Sequence, residues 1–198
     1  IAASRGLQTM VLESTDFYGG TTAYSGSGLW LPGNDVAARG GVDDSEDEAR
    51  SYLRAVVGDE TADMQDAFLA ATKPMVAELE AHPILQFEHR PFPDYFASAP
   101  GMKPTGRDIF PLDLERSELG DMDEWLRPSA PEERRGFPAP PQLTGGQALI
   151  ARLLIAAKST GRCDLRLRTA MDALIVDDDG AVVGVEANVG GVRIRIGA

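Results

Sequence analysis

Two stretches of the sequence combine residue types that could bind a nucleotide or move a proton. In the first, the apolar run Gln8–Leu12 predicts a buried strand, and the acidic Glu13 follows it directly. A carboxylate at a strand end can accept hydrogen bonds from the hydroxyls of a ribose. Four glycines that could let the backbone approach a pyrophosphate come next: Gly19, Gly20, Gly26 and Gly28. Their spacing alone is equally typical of plain turns, and the order of strand, acid and glycines is what favours a nucleotide site.

The second stretch is the aromatic segment Phe92–Phe96, which contains Asp94 and Tyr95. A tyrosine hydroxyl can donate or accept a hydrogen bond and could take part in a proton transfer. Aromatic side chains mainly supply buried apolar surface, however, so composition alone favours a cluster of aromatic residues in the core.

Charge and composition limit the partners of the protein. The 198 residues carry a formal net charge of −12 without a long cluster of lysines and arginines, which argues against nucleic acid and anionic membranes as partners. With 43% apolar residues, the chain can form one domain with a hydrophobic core. We see no apolar run as long as a membrane span and no signal peptide. The single cysteine, Cys163, excludes an internal disulfide and fits a reducing cytoplasm.

Metal and hydrolase chemistry find little support in the sequence. The acidic run Asp43–Glu48 is most simply the solvated start of a helix, because cation-binding loops also need a glycine at their turn. The two histidines, His82 and His89, lie near no recognisable Ser or Cys nucleophile and are expected to be loop or surface residues. We therefore predict no metal site.

Hydrophobic periodicity predicts helices and strands in an α/β order. One helix is expected over Asp43–Gly58 and a second over Thr61–His82, with Met64, Phe68 and Met75 on the apolar face of the second. From 83 to 141 prolines are frequent and periodicity weakens, which predicts a long irregular segment.

A third helix is expected from Thr144 to Gly161, followed by a meander of strands. The segment 173–176 predicts a buried strand, and Asp178–Gly180 predicts a hairpin turn. The predicted strands are 164–168, 173–176, 182–185 and 192–196.

Residues 10–34 resemble the flavoprotein family of 3-ketosteroid Δ1-dehydrogenases and their fumarate-reductase-like relatives. That family has a V-L-E strand end, then G-G-T-T-A-x-S-G-G and W-x-P-x-N. The matching residues here are Val11–Glu13, Gly19–Ala23, Ser25–Gly26 and Trp30–Asn34, while Ser27 stands where a second glycine is usual. The resemblance implies FAD, with Glu13 on the ribose and the glycine loop along the pyrophosphate and toward the flavin. The implied cofactor-binding residues are Glu13, Ser14, Gly19, Gly20, Thr21, Thr22, Ser25, Gly26, Gly28 and Ala170.

The resemblance extends to the aromatic segment and to the C-terminal part of the chain. The family carries D-Y-[YF], P-G-G and G-R in the region of Asp94–Phe96, where its tyrosine assists proton abstraction from a steroid, so Tyr95 is the implied catalytic residue; Met102 replaces the second glycine of P-G-G. T-x-G-x-A-L and D-G-x-V-x-G-V also recur, and the turn near Ala170 is implied to lend backbone groups to the adenine.

The expected fold is α/β: a Rossmann-like FAD-binding domain of the glutathione-reductase type with a β-meander. Ile1–Leu7 is typical of the end of a helix, and the strand and G-x-G-x-x-G turn expected before it are absent. We therefore expect 1–198 to be one partial domain, truncated at both ends, with unpaired strand edges and no substrate domain. A helical and proline-rich excursion is expected at about 43–141.

The implied activity is that of an FAD-dependent 3-ketosteroid Δ1-dehydrogenase. Such an enzyme introduces a double bond beside a ring ketone by proton abstraction and hydride transfer to the flavin, and its remaining catalytic groups lie later in a longer chain. Two alternatives stay open: a fumarate-reductase-like flavoprotein, whose arginine and histidine this chain does not show at a family motif, and an inactive truncated fragment. The expected partner is a steroid ketone, with no nucleic acid.

Overall fold

The computed structural model describes residues 1–198 as a mixture of helices and strands. Five α-helices are present: α1 (Asp35–Arg39), α2 (Glu46–Val57), α3 (Ala62–Glu80), α4 (Ala130–Arg135) and α5 (Gly145–Ser159). Shorter 3-10 segments cover Thr22–Tyr24 and Arg116–Trp125. None of the helices combines the length and the apolar composition needed to cross a membrane.

Ten short strands form four small sheets. They are β1 (Thr9–Leu12), β2 (Leu29–Trp30), β3 (Phe87–His89), β4 (Asp108–Pro111), β5 (Leu114–Glu115), β6 (Gln142–Leu143), β7 (Cys163–Arg166), β8 (Thr169–Val176), β9 (Val182–Val189) and β10 (Val192–Gly197). β1 pairs with β7 in parallel, and β8, β9 and β10 form an antiparallel meander. The two other sheets are antiparallel, with the orders β2-β4-β3 and β5-β6.

Strand β1 was predicted from its apolar run, and that prediction is confirmed, but its predicted burial is wrong. Its only strand neighbour is β7, so that Met10 and Val11 are exposed. The same error affects the segment 173–176, whose Leu174 and Val176 are exposed although they lie in β8. An apolar run predicts a strand locally, whereas burial requires another element to cover it.

The first two long helices form where the sequence predicts them. Ser45 caps α2 by accepting a hydrogen bond from the backbone N–H of Glu48. The predicted face of α3 is wrong, because Met64, Phe68 and Met75 are exposed.

The face of α3 that is buried carries Gln65, Leu69, Thr72 and Val76. Its two polar members have partners: the Gln65 side-chain amide donates to the carbonyl of Gly58, and the Thr72 hydroxyl donates to the carbonyl of Pro32 at 2.7 Å. These hydrogen bonds let polar side chains occupy positions that a purely apolar pattern does not identify.

The segment 83–141 is less irregular than predicted. It contains β3, β4, β5, the 3-10 segment Arg116–Trp125 and α4. The α4 helix begins with a capping box between Ser129 and Glu132 and ends at Gly136 in the left-handed conformation. The strands in this segment are two to four residues long and pair with distant parts of the chain, so they leave little periodicity in the sequence.

Helix α5 lies between the two hydrophobic clusters of the protein. Ala148 belongs to the cluster around Leu126 and Leu143, while Leu149 belongs to the cluster around Val76 and Ile109. The buried guanidinium of Arg152 donates to three backbone carbonyls. One belongs to Ile84, shortly before β3, and the other two belong to Leu112 and Asp113, directly after β4. Burial lowers the pKa of Arg152.

The first turn of α5 contacts the glycine loop directly. The backbone N–H of Gly146 donates to the carbonyl of Ser25 at 2.9 Å, and a Cβ at Gly146 would overlap the carbonyl oxygen of Thr22. Gly145 has a φ of +53°, a conformation that favours glycine. The two glycines therefore allow backbone-to-backbone packing that no larger residue permits.

We expect Gly146→Ala to destabilise the protein by about 2–3 kcal/mol, because the new methyl group would displace the turn at Thr22. Urea unfolding of both proteins measures the difference. Gly197→Ala is the control, because its Cβ would meet no atom within 4 Å, and it should change stability by less than about 0.5 kcal/mol. Equal stabilities for the two variants would contradict this account of the contact.

Candidate functional site

Glu13 lies directly after β1 and is fixed by backbone hydrogen bonds on both sides. Its N–H donates to the carbonyl of Arg166 at 2.9 Å, and its carbonyl accepts from Thr169 at 2.8 Å. One carboxylate oxygen, Oε1, accepts from the N–H of Thr15 at 2.7 Å and from the hydroxyl of Ser14 at 3.4 Å. The other carboxylate oxygen has no hydrogen-bond partner within the protein and remains available as an acceptor.

The carboxyl group of Glu13 favours its charged form. Burial alone would raise its pKa, but the hydrogen bonds from Thr15 and Ser14 outweigh burial, and the charge of Arg127 assists them, so the pKa lies below its ordinary value. An acceptor at a strand end that favours its charged form suits a ligand that presents hydroxyl groups.

The glycine loop contains two kinds of glycine. Gly19 has a φ of +124°, and a Cβ there would lie 2.9 Å from that of Ala23, so the fold itself requires glycine at this position. Gly26 has no positive φ, and its Cβ would meet nothing within 4 Å, so the fold does not require glycine there. Gly20 has a φ of +50° and equally open surroundings. Open space above a glycine backbone is what a closely approaching ligand would need.

The polar residues of this loop make hydrogen bonds within the loop. The Ser25 hydroxyl donates to the carbonyl of Thr22 at 2.8 Å and accepts from the N–H of Ser27 at 3.0 Å. Thr21 lies at the start of the 3-10 segment Thr22–Tyr24 and makes no capping hydrogen bond with its side chain. These contacts fix the loop.

Ala170 lies near Glu13 because the first residue of its strand, β8, is hydrogen-bonded to Glu13. The preceding residue, Thr169, donates its N–H to the carbonyl of Glu13, and Arg168 donates to the carbonyl of Thr15 at 2.9 Å. The start of β8 is therefore fixed against the segment that carries Glu13 and Ser14.

A cavity of about 900 Å³ opens beside Glu13. Gly19 and Gly20 line it, whereas the other predicted cofactor-binding residues do not: Ser14, Thr21, Thr22, Ser25, Gly26, Gly28 and Ala170. Tyr18, which sequence reasoning missed, also lines this cavity. Its only signal in the sequence is an aromatic residue with a polar tip immediately before the two glycines.

The hydroxyl of Tyr18 is buried and has no hydrogen-bond partner within the protein. Burial, together with the charges of Glu13, Asp164 and Cys163, raises its pKa to about 12. Buried hydroxyls normally have a partner, so the unpaired hydroxyl of Tyr18 is an exception in a residue that lines this cavity.

Tyr95 is not a core residue. Its side chain is 86% exposed, and the neighbouring Phe92 and Phe96 are 58% and 50% exposed, so the interpretation as a core aromatic cluster is wrong. The ring of Tyr95 contacts that of Phe96 edge to face, with centroids 5.2 Å apart. Tyr95 lines a second, smaller cavity of about 310 Å³, separate from the one beside Glu13.

Asp108 connects the smaller cavity with the glycine loop, and sequence reasoning missed this residue too. It lines the cavity beside Tyr95, and a Cβ on Gly28 would lie 3.2 Å from its Oδ1 atom. Burial, together with the negative charge of Asp94, raises the pKa of Asp108. Only the structure brings Gly28 and the Tyr95 segment to one carboxyl group.

The acidic run Asp43–Glu48 is the exposed start of a helix, as predicted, except at Asp44. The Asp44 side chain is buried and accepts hydrogen bonds from Gly33 and Arg107. The histidines make ordinary contacts, His82 with the Ser159 hydroxyl and His89 with a backbone carbonyl. The structure contains no group of three or more His, Cys, Asp or Glu residues placed to hold a metal ion.

Comparison with known proteins connects these features. A family model described as an FAD binding domain matches residues 1–198. The 3-oxosteroid 1-dehydrogenase of Rhodococcus opacus is 44% identical over 187 residues, which cover 94% of this chain and 36% of the relative. The crystal structure of 3-ketosteroid delta1-dehydrogenase from Sterolibacterium denitrificans in complex with 1,4-androstadiene-3,17-dione aligns with a TM-score of 0.84 and 26% identity. This match covers 100% of the chain and 42% of that structure, so the chain spans about two fifths of these relatives.

A more distant similarity concerns the fumarate-reductase-like alternative. The open conformation of a flavocytochrome c3 fumarate reductase aligns with a TM-score of 0.56 and 16% identity, covering 100% of this chain and 34% of that structure. At this identity the likeness is one of fold alone.

The buried hydroxyl of Tyr18 gives a prediction for alkaline pH. In the unfolded chain the Tyr18 hydroxyl ionises near its ordinary pKa of 10, whereas in the folded protein it ionises near a pKa of about 12. Its neutral form therefore contributes fully to the free energy of unfolding below pH 10, and this contribution is lost as pH rises to 12. Wild type should therefore lose about 1–3 kcal/mol of stability in this range that Tyr18→Phe retains. Urea unfolding of both proteins at several alkaline pH values measures this difference, and parallel losses would contradict the raised pKa.

Proposed function

Since this chain belongs to the family of FAD binding domains, its cofactor is FAD, and we propose that it forms the flavin-binding part of a 3-ketosteroid Δ1-dehydrogenase. The observation that carries the proposal is the 44% identity to a 3-oxosteroid 1-dehydrogenase over nearly the whole chain. We further infer that 1–198 belong to one domain of the Rossmann-like, glutathione-reductase type. The parallel pair β1–β7 with an acid at the strand end supports this inference.

The residues at the end of β1 and in the glycine loop fit FAD. Glu13 offers a charged acceptor with one free oxygen, and Tyr18 offers a buried hydroxyl without a partner. Gly20 and Gly26 offer open backbone. In this assignment Glu13 and Ser14 hold the ribose, and backbone groups near Ala170 contact the adenine. The pyrophosphate and the flavin lie along the rest of the loop: Gly19, Gly20, Thr21, Thr22, Ser25, Gly26 and Gly28.

FAD supplies a hydride acceptor when it is bound. The chemistry left to the protein is the removal of a proton from the carbon beside the ketone. We assign Tyr95 to this step: its exposed hydroxyl would donate a hydrogen bond to the base that takes the proton, and this bond would favour the ionised base. That base and the groups that bind the ketone belong to the part of the enzyme outside these residues.

The alternatives have weaker support. A fumarate-reductase-like activity has the lower structural similarity, and the chain does not show an arginine and a histidine at that family's motif. An inactive fragment that binds no FAD would be colourless, whereas either enzyme would be yellow because it retains FAD.

The proposed partner and compartment follow from the same assignment. The substrate is a small steroid ketone, and the net charge of −12 argues against nucleic acid. A reducing, cytoplasmic compartment is supported by the one cysteine, Cys163, which forms no disulfide.

The first test concerns the cofactor. In the enzyme that contains this chain, Gly26→Ala should leave the stability of the flavin-free protein within about 0.5 kcal/mol of wild type, because the methyl group meets no protein atom. Its FAD affinity should fall by about tenfold or more, since the methyl group fills space assigned to the cofactor. Fluorescence titration with FAD measures the affinity, with Gly197→Ala as the control. Unchanged FAD affinity would remove Gly26 from the site.

The second test concerns catalysis. In the same enzyme, Tyr95→Phe should reduce turnover of a 3-ketosteroid by about 10²-fold with unchanged flavin content, because it removes only the hydroxyl. The pH profile should move upward, since the base loses a hydrogen bond that favoured its charged form. Steady-state kinetics across pH measure both effects. Loss of flavin would assign Tyr95 a structural role, and full turnover with an unmoved profile would exclude it from the mechanism.

A further inference from the structure

One buried carboxylate joins the glycine loop to the segment that carries Tyr95. Asp94, immediately before Tyr95, has no exposed side-chain surface. Its Oδ1 accepts from the indole N–H of Trp30 at 2.8 Å, and its Oδ2 accepts from the N–H of Lys103 at 2.9 Å and from Arg107. Trp30 lies in β2, two residues after Gly28. A single side chain therefore connects the two stretches proposed to hold the cofactor and to assist catalysis.

Arg107 balances the charge of this carboxylate. Its guanidinium is fully buried, pairs with Asp94 and Asp44, and donates to the carbonyl of Gly101 at 2.7 Å. It also lies over the ring of Trp30, 5.8 Å from the centroid. Removing Arg107 would leave Asp94 buried without a charged partner, and removing Asp94 would break one of the two ion pairs of a fully buried guanidinium, so neither residue is a good position for a clean test.

The backbone of Tyr95 is fixed on both sides. Before it, the N–H of Asp94 donates to the carbonyl of Lys103 at 3.1 Å. After it, the N–H of Phe96 donates to the hydroxyl of Tyr52 at 3.1 Å. The side chain between them remains exposed. This combination is unusual for an exposed loop, where backbone and side chains are commonly mobile together, and it suits a group whose position relative to a ligand matters.

We propose that Trp30 and Asp94 are positioning residues for Tyr95. The hydrogen bond between them sets the distance from the Tyr95 hydroxyl to the glycine loop, and thereby to the bound cofactor and substrate. This inference rests on the proposed catalytic role of Tyr95. A displacement of about 1 Å at a reacting group can cost about 10²-fold in rate, so one hydrogen bond between the loops is enough to matter.

Trp30→Phe is the direct test in the enzyme that contains this chain. It removes the indole N–H and keeps an aromatic ring, which in wild type stacks on Phe68 with centroids 6.2 Å apart. We expect unchanged FAD content, a kcat reduced by about 10-fold or more, and a KM changed by less than about threefold. The pH profile should move in the same direction as in Tyr95→Phe.

A double variant separates positioning from a general structural effect. If Trp30 acts through Tyr95, then Trp30→Phe should slow the Tyr95→Phe enzyme by no more than about twofold. Thr72→Val is the matched control: it removes a buried hydrogen bond to Pro32, two residues beyond Trp30, and should lower Tm without moving kcat or the pH profile.

Each other outcome overturns the proposal in a recognisable way. If Trp30→Phe slows the wild-type enzyme and the Tyr95→Phe enzyme equally, Trp30 does not act through Tyr95. If Trp30→Phe leaves kcat at the wild-type value, Trp30 has no positioning role. Either result would leave the role of Tyr95 intact. Loss of FAD in Trp30→Phe would assign Trp30 to the cofactor instead. Full turnover in Tyr95→Phe alone would remove the catalytic role of Tyr95, and with it the positioning role, before Trp30 is changed.

Discussion

The close backbone contact between the first turn of α5 and the glycine loop is the constraint on which the rest of the structure depends. Gly146 donates to the carbonyl of Ser25, and only a hydrogen fits between its Cα and the turn at Thr22. Because α5 also separates the two hydrophobic clusters, the position of the loop is set by the core of the protein. A loop that is fixed in this way can present open backbone at Gly26 without losing its shape.

Two buried arginines fix the peripheral segments by different means. Arg107 is paired with two carboxylates and fixes the loop before β4, whereas Arg152 has only backbone carbonyls as partners and fixes the ends of β3 and β4. Isolated buried charges are costly, and a mispaired arrangement would leave such a charge without partners. The arginines thus favour one specific arrangement of segments that have little regular secondary structure.

The sequence predicted the local features better than the long-range ones. The turn at Asp178–Gly180 and the end of the third predicted helix near Gly161 are encoded by adjacent residues, and both are observed. The buried face of α3 was mispredicted because its polar members have hydrogen-bond partners outside the helix, and Pro32, the partner of Thr72, lies in a distant part of the chain. For the candidate site, the glycine loop and Tyr95 were identified by motif. The unpaired hydroxyl of Tyr18 and the links through Asp94 and Asp108 depend on packing between distant segments, which a one-dimensional pattern does not record.

The parallel pairing of β1 with β7 also has a consequence for how the protein folds. Thr9 pairs with Cys163, and Glu13 is fixed by residues 166 and 169, so this contact joins segments that lie far apart in the chain. Contacts of such high sequence separation cost chain entropy and form slowly. During synthesis on the ribosome, the acidic end of β1 therefore emerges before its partners and stays without them until β7 and the start of β8 have left the exit tunnel. The helices α2 and α3 follow each other in the chain and pack against each other, so this contact can form well before then.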